Sequence, residues 1–97
     1  MTVIKVDGSE LPVQGELTLQ AMQELVGGYI EVVTIGGTAT ARELLIVDED
    51  GLLKRKSVNA RATALYRGTP PRHDGIIVGD AIQCVCLDGG TDLERYR

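Results

Sequence analysis

Two runs decide the fold: Tyr29-Ile-Glu-Val-Val-Thr-Ile35 and, after a Gly36-Gly-Thr-Ala-Thr40 loop, Glu43-Leu-Leu-Ile-Val-Asp48. In the first, Ile30, Val32 and Thr34 share one face, while Tyr29, Glu31, Val33 and Ile35 share the other. That period of two defines a strand. The second run has an unbroken apolar centre, Leu44 to Val47, which predicts a strand covered on both faces. Asp48-Glu49-Asp50-Gly51 then reads as a hairpin turn into a further strand, Leu52-Leu53-Lys54-Arg55-Lys56.

Working outward, Thr2-Val3-Ile4-Lys5-Val6 is a β-prone run closed by Asp7-Gly8. Leu11-Pro12-Val13 extends it as a hairpin whose proline confines it to a sheet edge. Thr18 caps a helix over 19–26, with Leu19, Met22, Leu25 and Val26 turned inward and Gln20, Gln23 and Glu24 outward. Gly27-Gly28 ends that helix. Asn59 caps a second short helix, 60–67, stopped by Gly68. After a Thr69-to-Gly75 loop, Ile76-Ile77-Val78 and Ala81 to Leu87 read as strands parted by Gly79-Asp80. The fold class is α+β: a small, mostly antiparallel, curved sheet of five to seven short strands with one or two short helices. The chain reads as one domain, 1–97, whose residues 91–97 form a loosely docked tail.

Composition fits that reading. The 97 residues are 43% hydrophobic and 25% charged, with no Trp, no Phe and three Tyr, so the core must be aliphatic. A chain of this size buries roughly 60–65% of its unfolded surface, enough for a thin core without staples. Its longest apolar run, Leu44 to Val47, is far too short to span a membrane. The start, Met-Thr-Val-Ile-Lys-Val-Asp, shows no basic region of a signal peptide. Cys84 and Cys86 form a C-x-C pair whose thiols share one strand face. A disulfide between such neighbours is strained, so two buried, inert thiols in a reducing, cytoplasmic setting are expected.

Charge is unevenly spread. The formal net charge is −4, yet Gly51 to His73 holds Lys54, Arg55, Lys56, Arg61, Arg67 and Arg72 and no acid at all. A basic window in an acidic chain is either a local anion site or a solvated face that keeps the domain soluble. As a site it would consist of Lys54, Lys56 and Arg61 around the Asn59 helix start. Tyr66 would stack on a base there, and Arg67, Arg72 and His73 would clamp a phosphate. Extended nucleic-acid binding is not expected. The chain carries no G-x-S-x-G, H-E-x-x-H, G-x-x-x-x-G-K-[ST] or G-x-G-x-x-G pattern. Asp48-Glu49-Asp50 fits no calcium loop and reads as a turn, and His73-Asp74 reads as a solvated pair. No catalytic residue, metal or cofactor is therefore assigned.

Three stretches carry a resemblance: Met22-Gln-Glu-Leu-Val-Gly-Gly-Tyr-Ile-Glu-Val-Val33; Ile46-Val-Asp-Glu-Asp-Gly-Leu-Leu53 followed by Val58-Asn-Ala-Arg-Ala-Thr63; and Ile77-Val-Gly-Asp-Ala81. In that order they resemble an uncharacterised small domain family of bacteriophage, plasmid and bacterial accessory genes, over about two thirds of the chain. The family brings no site residues to carry over. Lys54-Arg55-Lys56 departs from the less charged strand expected after Leu53, which makes the basic patch particular to this chain. The resemblance implies a small accessory protein in the host cytosol that acts by binding a host molecule. The expected function is thus interference with host defence or metabolism, by sequestering an anionic, nucleotide-like ligand as a sponge or by blocking a host protein. Two alternatives stand beside it: a small metal-dependent phosphodiesterase or nuclease using Asp48, Glu49, Asp50 and His73, and a structural interaction module with the acidic surface as its contact. Homo-oligomerisation is expected, through exposed strand edges at Leu11–Val13 or Ala81–Leu87.

Overall fold

The computed structural model describes residues 1–68 and 74–87. They form five strands and two helices: β1 (Thr2–Ile4), β2 (Glu10–Pro12), α1 (Leu19–Val26), β3 (Ile30–Gly37), β4 (Ala41–Asp48), α2 (Ala60–Arg67) and β5 (Ala81–Leu87). The strands make one open sheet in the order β2-β1-β5-β4-β3, every pair antiparallel. This is the small α+β fold that the alternation and the turns predict.

Both helices start and stop where their caps say. The Thr18 hydroxyl accepts from the Ala21 N–H, and Gly27 ends α1 at φ 82°. The Asn59 side-chain oxygen Oδ1 accepts from the Ala62 N–H at 3.0 Å. Each helix is only two turns long and depends on docking for its stability. They dock on opposite faces of the sheet. Met22 and Val26 of α1 join Val3, Ile30, Val32, Leu44, Ile46 and Ile82 in one cluster. Ala62 of α2 joins Ile4, Ile35, Leu45, Val47, Ile77 and Ala81 in the other. The apolar centre of β4 therefore feeds two cores, Leu44 and Ile46 into the first and Leu45 and Val47 into the second. Cys84 and Cys86 point into the α1-side cluster, and both are buried, reduced thiols.

Four expectations need correction. Leu52 to Lys56 is not a strand but a run of tight turns, with Lys54 N–H bonded to Asp50 O, Arg55 N–H to Leu52 O and Lys56 N–H to Gly51 O. Residues 76–78 are not a strand either. Val78 makes a lone bridge to Val58, and Thr63 Oγ1 takes both the N–H and the C=O of Ile77. A side chain there does the work of a partner strand. Ala81–Leu87 is no edge: β5 lies between β1 and β4, so the sheet edges are β2 and β3. Finally, Leu25 does not face the core. It is 36% exposed because it lines a cleft instead.

The 36–40 loop is tighter than its glycines suggest. β3 runs on to Gly37 through a register shift between Thr34 and Gly36. Gly37 has φ 89°, and a Cβ there would strike the Ala41 carbonyl oxygen. The 91–97 tail lies outside the described residues.

Candidate functional site

The C-terminal end of β4, the last turn of α1 and the start of β5 meet at one end of the sheet. Asp48, the last residue of β4, is buried there with a fully covered carboxylate. Its Oδ2 faces two ammonium groups, Lys56 Nζ at 2.6 Å and Lys54 Nζ at 2.9 Å. Its Oδ1 accepts the Asp50 N–H at 2.9 Å. Burial alone would raise the Asp48 pKa, but hydrogen bonds from Lys56, Lys54 and the Asp50 backbone outweigh it and hold the carboxyl below its ordinary value. Each lysine makes a second bond to the unsatisfied carbonyls at the end of α1: Lys56 to Val26 O and Lys54 to Gly27 O. Cations at a helix C-terminus complete its open acceptors and offset its dipole.

The double glycine makes this approach possible. A Cβ on Gly27 would lie 2.8 Å from Lys56 Nζ, and one on Gly28 would lie 2.7 Å from Asp48 Oδ1. Gly27-Gly28 is thus both a helix stop and the floor on which a carboxylate and two lysines assemble.

The sequence-selected site residues fall apart when placed. Lys54 and Lys56 belong to the Asp48 cluster and do not flank the start of α2. Asn59 is buried, and its amide donates to Ile4 O at 2.8 Å and Gly79 O at 3.0 Å while its oxygen caps α2. That uses its side chain fully inside the fold. Arg61 is exposed, with Nε 3.9 Å from Glu10 Oε1. Tyr66 is half-buried against the α2-side core. Arg67 ties the end of α2 to the following loop, donating to Gly75 O at 2.9 Å and Asp74 O at 3.2 Å. Arg72 and His73 lie outside the described residues. Asp48 would have to shed two ammonium groups before it could ligate a metal. Among the described residues, no three His, Cys, Asp or Glu side chains gather as a metal site.

Sequence reasoning missed the neighbouring surface. A cleft of about 340 Å³ is lined by Val6, Leu25, Val26, Gly27, Lys56, Ser57, Gly79 and Asp80. Asp80 closes one side, accepting the Val6 N–H at 3.0 Å and pairing with Lys5 at 3.6 Å. Beside the cleft, the 51–56 turns carry Leu52 and Leu53, 65% and 83% exposed, and Tyr29 stands 70% exposed at the start of β3. The available signal was a Leu-Leu pair flanked on both sides by charge, D-E-D-G before it and K-R-K after it.

One helix on each face of a five-stranded antiparallel sheet, with a lysine-locked carboxylate at one end, defines a small α+β domain. The chain belongs to the family described as a domain of unknown function, DUF3846, whose model matches residues 1–96. Among curated proteins and among solved structures, none matches the chain. No helix among the described residues is long and apolar enough to cross a membrane.

Proposed function

We propose that this protein is a non-enzymatic binding module of the phage- or plasmid-borne accessory type, working in the host cytosol by occupying a host protein. The observation that carries this reading is the exposed Leu52–Leu53 pair on the 51–56 turns, whose Lys56 walls a cleft also lined by the exposed Leu25 and Val6. Large aliphatic side chains gathered on one part of a small soluble domain are the usual mark of a protein contact. The nucleotide-sponge branch is weaker, because Lys54 and Lys56, its central cations, are already spent on Asp48 and on the carbonyls of α1. A phosphate would have to compete with a buried carboxylate for both.

The test places a photo-crosslinking amino acid at Leu53 and, as control, at Ala39 in the exposed β3–β4 turn at the opposite end of the sheet. Irradiation in a bacterial host should give a discrete host-protein adduct from position 53 and none from 39. Equal labelling at both positions, or none at 53, refutes the reading. Calorimetric titration with linear and cyclic nucleotides at 50 mM salt tests the sponge branch separately. Micromolar binding lost in a Lys56→Ala, Arg61→Ala variant would restore it.

A further inference from the structure

We propose that in the free protein the Leu52–Leu53 pair and the cleft are covered by a second copy of this chain, across a two-fold axis, with Leu52–Leu53 of each copy seated in the cleft of the other. The inference rests on reading them as a contact surface, and it names the occupant in the absence of a host partner.

Four observations carry it. The projecting element and the recess lie side by side and come from the same stretch, since residues 51–57 supply both the Leu52–Leu53 tip and, through Lys56 and Ser57, one wall of the cleft. A surface holding both halves of a fit is self-complementary under two-fold symmetry, residue i meeting j and j meeting i. Next, the tip is held before binding. Three backbone bonds close its turns, Arg55 is held at φ 56°, and both lysines anchor the loop to Asp48 and to α1. A stiff tip loses little conformational freedom on docking. Charge points the same way. Copies of a chain with net charge −4 repel over most orientations. Around the tip, however, Asp48, Glu49 and Asp50 are balanced in number by Lys54, Arg55 and Lys56, and Asp80 by Lys5, so the approach is nearly neutral. The cleft, about 340 Å³ with Val6, Leu25 and Val26 among its walls, has room for a pair of aliphatic side chains.

Sedimentation velocity of the full chain from 1 to 200 µM tests this, with circular dichroism as a check on folding. The wild type should sediment at twice its 10.4 kDa monomer mass at the upper concentrations. Leu53→Asp and Leu25→Lys, both at exposed positions, should each weaken the dimer at least tenfold. Mixed together, the two variants should recover it. In the mixed dimer one contact is native, and in the other the introduced carboxylate faces the introduced ammonium. A monomeric wild type, a dimer indifferent to Leu53→Asp, or no recovery on mixing each overturns the proposal. Failure here leaves the crosslinking test of host binding intact. A dimer without host adducts at position 53 would instead sink the host-binding reading alone.

Discussion

Replacing Asp48 with Asn should destabilise the protein by about 2–4 kcal/mol while leaving its shape unchanged. The substitution keeps the side-chain volume and removes only the charge that two ammonium groups share. A hydrogen bond to a charged group contributes roughly 1.5–3 kcal/mol. Lys56 has only 23% of its side chain exposed and should lose most of that amount. Lys54 is 42% exposed, so water replaces much of its lost contact and its share falls below about 1 kcal/mol. Urea unfolding followed by far-UV circular dichroism reads the change, and the melting temperature should fall by roughly 10–25 °C for a domain of this size. A Lys56→Met variant combined with Asp48→Asn should show a coupling of about 1–2 kcal/mol in a double-mutant cycle. The pH dependence has a definite sign. Asp48 titrates below its ordinary 3.8 in the folded state, so the unfolded chain binds the extra proton. The contribution of its charge is complete above about pH 5 and disappears as pH falls through 3.8 towards the folded value. The gap between wild type and Asp48→Asn should therefore narrow on acidification. An Asp48→Asn variant within about 0.3 kcal/mol of wild type at pH 7, or a gap that persists unchanged in acid, would refute the account.

Other outcomes follow from single side chains. Asn59→Ala should cost about 2–4 kcal/mol by urea unfolding, since it removes a helix cap and strands the carbonyls of Ile4 and Gly79. At Cys84, desolvation pushes the thiol pKa up to about 11. Iodoacetamide at pH 8 should thus label the native protein far more slowly than the urea-unfolded chain, and a double Cys84→Ala, Cys86→Ala variant should lose about 1–3 kcal/mol. Gly37→Ala should lower the melting temperature by several degrees, because the added Cβ meets the Ala41 carbonyl at a left-handed φ.

The parts of the fold that were legible beforehand are those fixed by neighbours in sequence. Thr18 with Gly27, and Asn59 with Gly68, delimit their helices because a cap acts within four residues. Leu44 to Val47 announces a strand between two layers because alternation alone divides it between faces. The errors arose where a distant partner decides. Leu52 to Lys56 has a passable strand pattern, but Asp48 and the α1 carbonyls draw Lys54 and Lys56 to one side, and the backbone folds into turns to deliver them. Ile76 to Val78 lost its strand to the Thr63 hydroxyl, an interaction no local pattern encodes. The basic window was visible as charge, whereas its employment inside the fold was not, because the buried acid that claims it lies outside the window. The central place of β5 was equally hidden, since nothing in Ala81 to Leu87 names its neighbours.

That place bears on how the chain assembles. The β1–β2 and β3–β4 hairpins share no hydrogen-bonded ladder of their own, and β5 pairs with β1 through Ile4↔Ala81 and with β4 through Ile46↔Ile82. Until residues 81–87 arrive, each hairpin is an isolated two-stranded ribbon, which is marginal in water. The strand works as a zip fastener between two hairpins that both lie well before it in the sequence. Closing it demands long loops before any return in contacts, which favours slow, all-or-none folding over stepwise growth. A chain ending between Asp48 and Ala81 would keep both hairpins but lack the strand that joins them and the Ile82, Cys84 and Cys86 side chains that fill the α1-side core.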